Sequence, residues 1–474
     1  VHRRGLAVAA REYLGWDMPK DLQASDWGVP ALSADQIAYA ALDAVAAPLL
    51  WHRLETDLHA KGRWEAYVLQ RDAIMAAVEM EKAGIGIDIE ALEEVIAEWS
   101  RKLSEARSLW QEETGTPPLE TPNQVRQWLS HNLDSEVLAN WPLTETDRQL
   151  STSASSLERA AHLPAIRPLL EIKRLEKLLS SFGPSLRDRI SPVTGRIHAN
   201  YLVAGTKSGR WSCRAPNLQQ MPGERLAPGF RAIFKAPPGR VLIGADYSQM
   251  ELRAVAEISG DSSLRQVYED GLDLHSITAA AMTGSTPDEV TREQRSRAKP
   301  VNFGSIYGMG AAGLAAAAWN GYRVEMTLAE ARRALDAFFR KFPRLKTWMR
   351  ENADRCQQMR RISIGAGRVV ESAWEAKGIR YTQCCNLPVQ GACADIMMRA
   401  VTRIHCRTHA EGVDAVLVAQ IHDEVIVEAA TELAAQVQQI IEEEMVAAFL
   451  ETFPSAPVTG LVEIKTGKTW SDLK

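Results

Sequence analysis

The chain has 474 residues, 46% hydrophobic and 24% charged, with a formal net charge of −5. That length suits roughly two to four domains, and the composition is that of a water-soluble globular protein. No apolar run reaches the roughly 18 residues that a membrane-spanning helix needs. The six cysteines form no C-x-x-C pair, which disfavours a zinc ribbon or a disulfide framework and fits a reducing, cytosol-like compartment. Each reads as a small buried hydrophobe. Residues 1–4 carry no initiator Met and lead into no long apolar stretch, so the chain reads as a fragment or processed product without a signal peptide.

In chain order, the first periodic segment starts at Ser33 and has apolar residues three and four apart, so it is a helix. A second helix runs from Trp64 to Lys82, stops at Ala83-Gly84 and hands over to a short strand, "GIGID". A strongly charged helix covers about 90–110, and a Thr- and Pro-rich loop covers Thr114–Pro122. Short polar and amphipathic helices then run to Phe182, with Gly183-Pro184 and Ser191-Pro192 as punctuation. Since the whole chain is acidic, any grip on nucleic acid has to be local. Between Ile172 and Arg196 there are six basic residues against Glu176 and Asp188, and between Arg292 and Lys299 four against Glu293. Taken alone, such runs are more often solvated helix faces than binding sites.

Three later segments carry the chemistry. Val241–Ala245 reads as a buried strand that ends at Asp246 before a turn and a helix. Thr291 and Gln294 form a capping box that opens another helix, which Gly308 ends. Two β-rich runs flank Ile421–Glu424 as a hairpin. A carboxylate at a strand end or hairpin tip is rigidly held, as a metal ligand should be, although taken alone a turn or cap residue explains Asp246 and Asp423 better. If the two elements share a sheet, the carboxylates converge. Mg²⁺ takes such oxygens, and two ions about 4 Å apart serve nucleotidyl transfer. The capped helix is more specific. Arg295, Lys299, Phe303 and Tyr307 recur every four residues, drifting about 40° per step. Two cations followed by two aromatics make a poor core stripe but suit a triphosphate and a base.

"DYSQMELR" (246–253), Arg295-x-x-x-Lys299-x-x-x-Phe303-x-x-x-Tyr307-Gly308 and "QIHDEVIVE" (420–428) resemble the three polymerase motifs of family A DNA polymerases, in the family's order. "TKSGRWSCRAPNLQQMP" (206–222), "NLPVQGACADI" (386–396) and the closing "VEIKTGKTWSDLK" are similar to that family's primer-grasping, template-side and C-terminal segments. The resemblance covers roughly 65–474. It implies an α+β right-hand fold: a palm with an antiparallel sheet (about 191–261 and 383–474), helical fingers (about 262–382) and a helical thumb (about 90–190), within a polymerase domain at 63–474. It implies that Asp246 and Asp423 hold two Mg²⁺ ions, with the Tyr247 carbonyl as a further ligand and Glu424 in support. Glu251 becomes a steric gate against a ribose 2′-OH. Arg295, Lys299 and His275 hold the triphosphate, and Lys299 is placed to protonate pyrophosphate. Phe303 stacks on the nucleotide and, being Phe, implies discrimination against dideoxynucleotides. Tyr307 packs at the templating base, and Gln249 joins this nucleotide set. Arg210, Asn217, Gln219, Asn386, Gln390 and His422 contact DNA, largely in the minor groove, where contacts test pair shape. The implied partners are primer–template DNA and dNTPs. A monomer in the cytoplasm of a bacterial or phage-infected cell is expected, away from any membrane.

Two positions depart from the pattern. Pro300 lies inside the nucleotide helix and predicts a bend. Thr382 stands four residues before Asn386, where bacterial members carry Arg, which puts one DNA contact in doubt. Residues 1–62 resemble the end of a DEDD-type 3′–5′ exonuclease, with Tyr39 and Asp43 matching its Tyr-x-x-x-Asp motif. The other carboxylates of such a site belong upstream, and Asp88-Ile89-Glu90 is a coincidental match. The expectation is an inactive exonuclease remnant without proofreading. Two other readings stay open. Glu251 and Phe303 argue against a single-subunit RNA polymerase, and the intact carboxylates and cations argue against a non-catalytic DNA-binding remnant.

Overall fold

A computed structural model describes residues 5–144, 147–375 and 377–474. Residues 1–4, which open the exonuclease-like segment and on which the signal-peptide reading rests, lie outside the described residues. Helix α1 (Ala34–Ala60) starts where the sequence placed it: Ser33 Oγ accepts the Gln36 N–H at 3.1 Å, and the Gln36 side chain accepts the Ser33 N–H at 2.9 Å. With the Leu6–Leu14 helix it builds a small separate core around Ala10, Met18, Ala46 and Leu50. Helix α2 (Trp64–Ala83) ends at Gly84, whose φ is 64°. A Cβ there would lie 2.7 Å from the Ile197 carbonyl oxygen, so only glycine fits.

Helix α3 (Ile89–Thr114) is capped by Asp88, which accepts the Ala91 N–H at 3.2 Å and pairs with Lys235 at 2.5 Å. The Asp-Ile-Glu match at 88–90 is thus a helix start. The short helices expected up to Phe182 give way at their end to a 17-residue helix, α4 (Ile166–Phe182). Its buried Ile166, Leu169, Ile172, Leu175 and Leu178 recur every third residue and set one face against α3. The outer part of this helical arm closes a core of its own around Trp110, Leu129 and Leu157, while Trp99, Leu175 and Leu178 join the main core.

Half of the basic run at 172–196 is engaged in ion pairs. Arg174 pairs with Glu171, Arg187 with Glu93 and Arg196 with Glu428. Lys177 and Arg189 remain exposed.

Strand β1 (Arg240–Tyr247) extends the expected strand at both ends and leads through a tight turn into α5 (Met250–Ser259). A helical lobe follows, built on α6 (Leu274–Thr283), α7 (Arg292–Ile306) and the helices Leu328–Lys341 and Pro343–Met359. The chain returns through α8 (Tyr381–Ala410), β2 (Ala415–Ile421), β3 (Glu424–Ala430), α9 (Ala434–Thr452) and β4 (Val462–Gly467). The four strands form one antiparallel sheet in the order β4-β1-β3-β2. Every residue of β3 and all but the first and seventh of β1 are buried, which explains why both read as continuous apolar runs. Truncating a fully buried residue such as Ile243 is expected to cost roughly 2–5 kcal/mol.

Arg253 ties the turn after β1 to the chain before β4. It donates to the carbonyls of Ser248 (3.0 Å), Pro457 (3.2 Å) and Thr459 (2.8 Å) and lies 4.5 Å from the Tyr268 ring centroid. Helix α7 runs unbroken through Pro300, whose expected bend does not interrupt it. The capping box at Thr291 and the buried Ala298, Val301 and Ile306 hold both halves in place. Five cysteines are buried as expected, but Cys406 is exposed on α8, and all six are free.

Candidate active site

The sheet register brings the acidic residues together. Asp246, near the end of β1, is paired in register with Glu424 at the start of β3 and with Glu463 on β4. His422 and Asp423 alone connect β2 to β3, and His422 adopts φ 58°, a left-handed conformation that tightens the hairpin. The Tyr247 N–H donates to the Asp423 carbonyl at 3.2 Å, which pins the hairpin tip to the end of β1. The Tyr247 side chain is buried, and its hydroxyl donates to the Met445 carbonyl at 2.6 Å.

Burial of like charges dominates the electrostatics. Burial, then Asp423 and Glu424, push the Asp246 carboxyl up to about 7. Burial likewise raises Asp423. Glu424 is raised by burial even though Lys474 lies 2.5 Å away, so desolvation outweighs the ion pair. Among the described residues these three do not gather their oxygens within 4.8 Å of one another. A divalent cation fits this donor set: two carboxylates lacking a paired cation, with a third held aside by Lys474.

A second layer sits against this one. Glu251, 8% exposed, accepts from both the Arg210 guanidinium and the Tyr307 hydroxyl. Arg210 also feels Asp423 and so links Glu251 to the carboxylates. One small cavity is lined by Arg210, Gln219, His422 and Asp423 together with Gln420 and Cys393. Gln219 donates to the Gln420 side chain at 3.1 Å, and Gln420 donates to the His422 carbonyl. Asn217 Oδ1 accepts the Gln219 N–H at 3.1 Å. Gln249 starts α5 at φ 53° and accepts from the Tyr268 hydroxyl at 3.2 Å.

On the lobe, His275, Phe303 and Tyr307 form a row of rings, each neighbouring pair 6.3 Å apart. His275 is buried and bonded to the Asn302 amide at 2.7 Å. Burial, then the nearby Arg295 and Lys299, hold it down to about 4, so it is neutral at pH 7. Arg295 is not free: Asp273 takes its Nε at 2.7 Å and its Nη2 at 3.1 Å. Lys299 is half-buried and has no ion-pair partner among the described residues. Asn386 and Gln390 lie within α8, not at a turn before it, one helical turn apart. Asn386 keeps a buried Oδ1 without a partner, and Thr382 is exposed in the first turn. Tyr39 and Asp43 stand apart on α1. Tyr39 packs 5.9 Å from Trp27, and no group of three metal-ligating side chains among the described residues includes Asp43.

Residues 89–472 match the profile of DNA polymerase family A. The chain belongs to this family. Residues 2–59 match a 3′–5′ exonuclease profile, in agreement with the Tyr-x-x-x-Asp reading. DNA polymerase I of Aquifex aeolicus is 29% identical over 487 residues, covering 99% of this chain and 81% of the relative. DNA polymerase I of Chloroflexus aurantiacus and the thermostable enzyme of Thermus aquaticus are each 30% identical, covering 92% and 90% of this chain. The chain spans about half the length of these two relatives, 46% and 50%. Among solved structures, the polymerase domain of Pol1 from M. smegmatis, in complex with DNA primer-template and dNTP, superposes with a TM-score of 0.86 at 24% identity. That match covers 99% of this chain and 80% of the other. The fold is thus the α+β right hand that the motifs implied.

Sequence reasoning missed several residues of this family A site. Asp273 caps α6 and pairs with Arg295, a contact between two helices that no local pattern signals. Asn302, which orients His275, shares the motif helix but falls between the four-residue steps. Lys474, Gln420 and Cys393 lie inside the quoted motifs, but their contacts arise only from the tertiary fold.

Proposed function

We propose that this chain is a template-directed DNA polymerase that joins a primer 3′-OH to the α-phosphate of a dNTP and releases pyrophosphate. The observation that carries it is the convergence of Asp246 and Asp423, both carboxyls raised by burial, beside the Arg210–Glu251–Tyr307 network. In this reading Asp246 and Asp423 hold two Mg²⁺ ions, with the Tyr247 carbonyl and Glu424 in support. Such ions, when bound, lower the pKa of the attacking hydroxyl and stabilise the leaving oxygens.

The remaining work falls to the side chains. Lys299, unpaired and on the same helix face as Arg295, neutralises the triphosphate and donates a proton to the leaving pyrophosphate. Arg295 exchanges Asp273 for phosphate oxygens, and neutral His275 donates a hydrogen bond. Phe303 stacks on the incoming base and sugar. Glu251, fixed between Arg210 and Tyr307, fills the space that a ribose 2′-OH would need. Arg210, Gln219, Asn386, Gln390 and His422 line the path of the primer–template minor groove. The palm comprises about 191–261 and 383–474, the fingers about 262–382, and the arm of α3 and α4 is the thumb. The solved M. smegmatis complex, which holds primer-template and dNTP, supports this reading.

Primer extension with Mg²⁺ and dNTPs tests it. Extension is expected for the chain as it stands and is expected to vanish in Asp246→Ala and Asp423→Ala. Extension surviving either substitution, or NTPs used as readily as dNTPs, would sink the reading.

A further inference from the structure

Outside the candidate active site, α2 and α8 bring three ligand-type side chains together. His405 and His409 are four residues apart on α8 and so share one face. Glu79 on α2 faces both. Its Oε2 lies 3.1 Å from His405 Nδ1 and its Oε1 lies 3.4 Å from His409 Nε2. The two imidazole rings are 4.2 Å apart, and one ligand atom from each of the three residues lies within 4.8 Å of the others. Two ligands each about 2.0–2.1 Å from a tetrahedral ion sit roughly 3.3–3.4 Å from each other. The two Glu79–His separations, 3.1 and 3.4 Å, are close to that spacing.

The hydrogen bonding points the same way. His409 Nδ1 lies 2.9 Å from the His405 carbonyl, which can only accept, so Nδ1 carries the proton. In the neutral ring, Nε2 then faces a carboxylate oxygen with a lone pair, a place that suits a cation, whereas a protonated ring would donate to Glu79 instead. The carbonyl bond is the outer support that metal-bound imidazoles commonly have. His405 Nδ1 is buried and makes no hydrogen bond despite its closeness to Glu79. Glu79 is itself steadied by the Leu417 N–H at 3.4 Å. A solvent-open cavity beside the three residues, walled also by Met75, Val78 and Lys82, leaves room for a water as fourth ligand.

We propose that Glu79, His405 and His409 form a site for a zinc-class divalent ion that rivets α2 to α8. Two imidazoles and one carboxylate suit Zn²⁺, Co²⁺ or Ni²⁺, whereas Mg²⁺ prefers all-oxygen sites. The site is distinct in ligand type from the carboxylates at Asp246 and Asp423, so excess Mg²⁺ separates the two.

The test uses the full chain in excess Mg²⁺, with Co²⁺ as the spectroscopic probe. The expected result is visible Co²⁺ absorption bands that saturate at one ion per chain and are displaced by Zn²⁺, together with a Zn²⁺-dependent rise in melting temperature. His409 is 57% exposed, so His409→Ala removes a ligand without opening the core. It is expected to weaken Co²⁺ binding at least about tenfold and to abolish the Zn²⁺-dependent thermal shift. Glu79→Gln, which keeps an acceptor for Leu417, is expected to do the same. Absence of the bands and of the thermal shift in the unmodified chain would overturn the site, as would their survival in both variants.

Discussion

Asp246 shows how a single residue couples stability to function. Its carboxyl is raised from 3.8 to about 7, so between those values the folded chain binds more protons than the unfolded one. Metal-free stability therefore falls as pH rises from about 4 to about 7 and stays low above that. Asp246→Asn removes the cost of burying that charge. It is expected to raise the stability of the metal-free chain at pH 8 by roughly 1–3 kcal/mol while abolishing extension. Thermal or urea unfolding in EDTA checks the first half, and a destabilised Asp246→Asn chain would contradict the electrostatic account. On the proposed reading Mg²⁺ competes with that proton, so apparent Mg²⁺ affinity should rise with pH up to about 7 and then level off. Glu251 offers a second test at this scale. Glu251→Ala leaves Arg210 and Tyr307 without their shared acceptor and, on the proposed reading, opens space beside the sugar. Ribonucleotide incorporation relative to deoxynucleotide should rise at least about tenfold. An unchanged ratio would place the gate elsewhere.

Among elements, α6 and α7 are joined by the Asp273–Arg295 pair, and here the limits of sequence reading are plain. The capping box at Thr291, the α1 cap at Ser33 and the β2–β3 hairpin were legible because each is a local pattern with a local cause. The same holds for the two cations followed by two aromatics at four-residue steps from Arg295 to Tyr307. Asp273, Asn302 and Lys474 were not legible, since each acts on a residue brought near only by folding. The His405–Glu79 contact joins residues from opposite ends of the domain for the same reason. Pro300 does not end the helix: the packing of Val301 and Ile306 carries it across one missing donor. Asp273 both caps α6, accepting the Ser276 N–H at 2.9 Å, and holds Arg295. Although burial opposes ionisation, the bonds from Arg295 and Ser276 hold its carboxyl down to about 2. Its stabilising effect is therefore complete above about pH 4 and is lost as pH falls towards 2. Asp273→Ala is expected to cost about 1–3 kcal/mol at pH 7. The gap from the unmodified chain should close in acid, and a gap that stays constant from pH 7 to pH 2 would assign the loss to packing instead.

Across the whole molecule, the arm meets the helical lobe around Trp319 and Arg323. Trp319 donates to the Ser155 carbonyl at 2.7 Å, and Arg323 Nη2 lies 2.9 Å from Glu158 Oε1. A cavity bounded by Glu158, Arg159 and Trp319 lies at this junction. Both charged side chains are about a third exposed, so the pair contributes only about 0–1 kcal/mol and opens readily. If duplex DNA enters between arm and lobe, this contact has to part first. Glu158→Gln and Arg323→Gln should then both speed association with primer–template several-fold at low salt, because each unlatches the arm. Simple attraction to DNA predicts opposite signs: removing the anion would speed association and removing the cation would slow it. Stopped-flow association rates for the two variants separate these accounts. The exposed Lys177 and Arg189 supply the matching test of grip. Replacing either with Ala should lower the slope of log affinity against log salt by about 1 if it contacts a phosphate, with no change in base preference. A latch effect changes the association rate with little change in that slope, so the two measurements together assign each arm residue to opening or to grip.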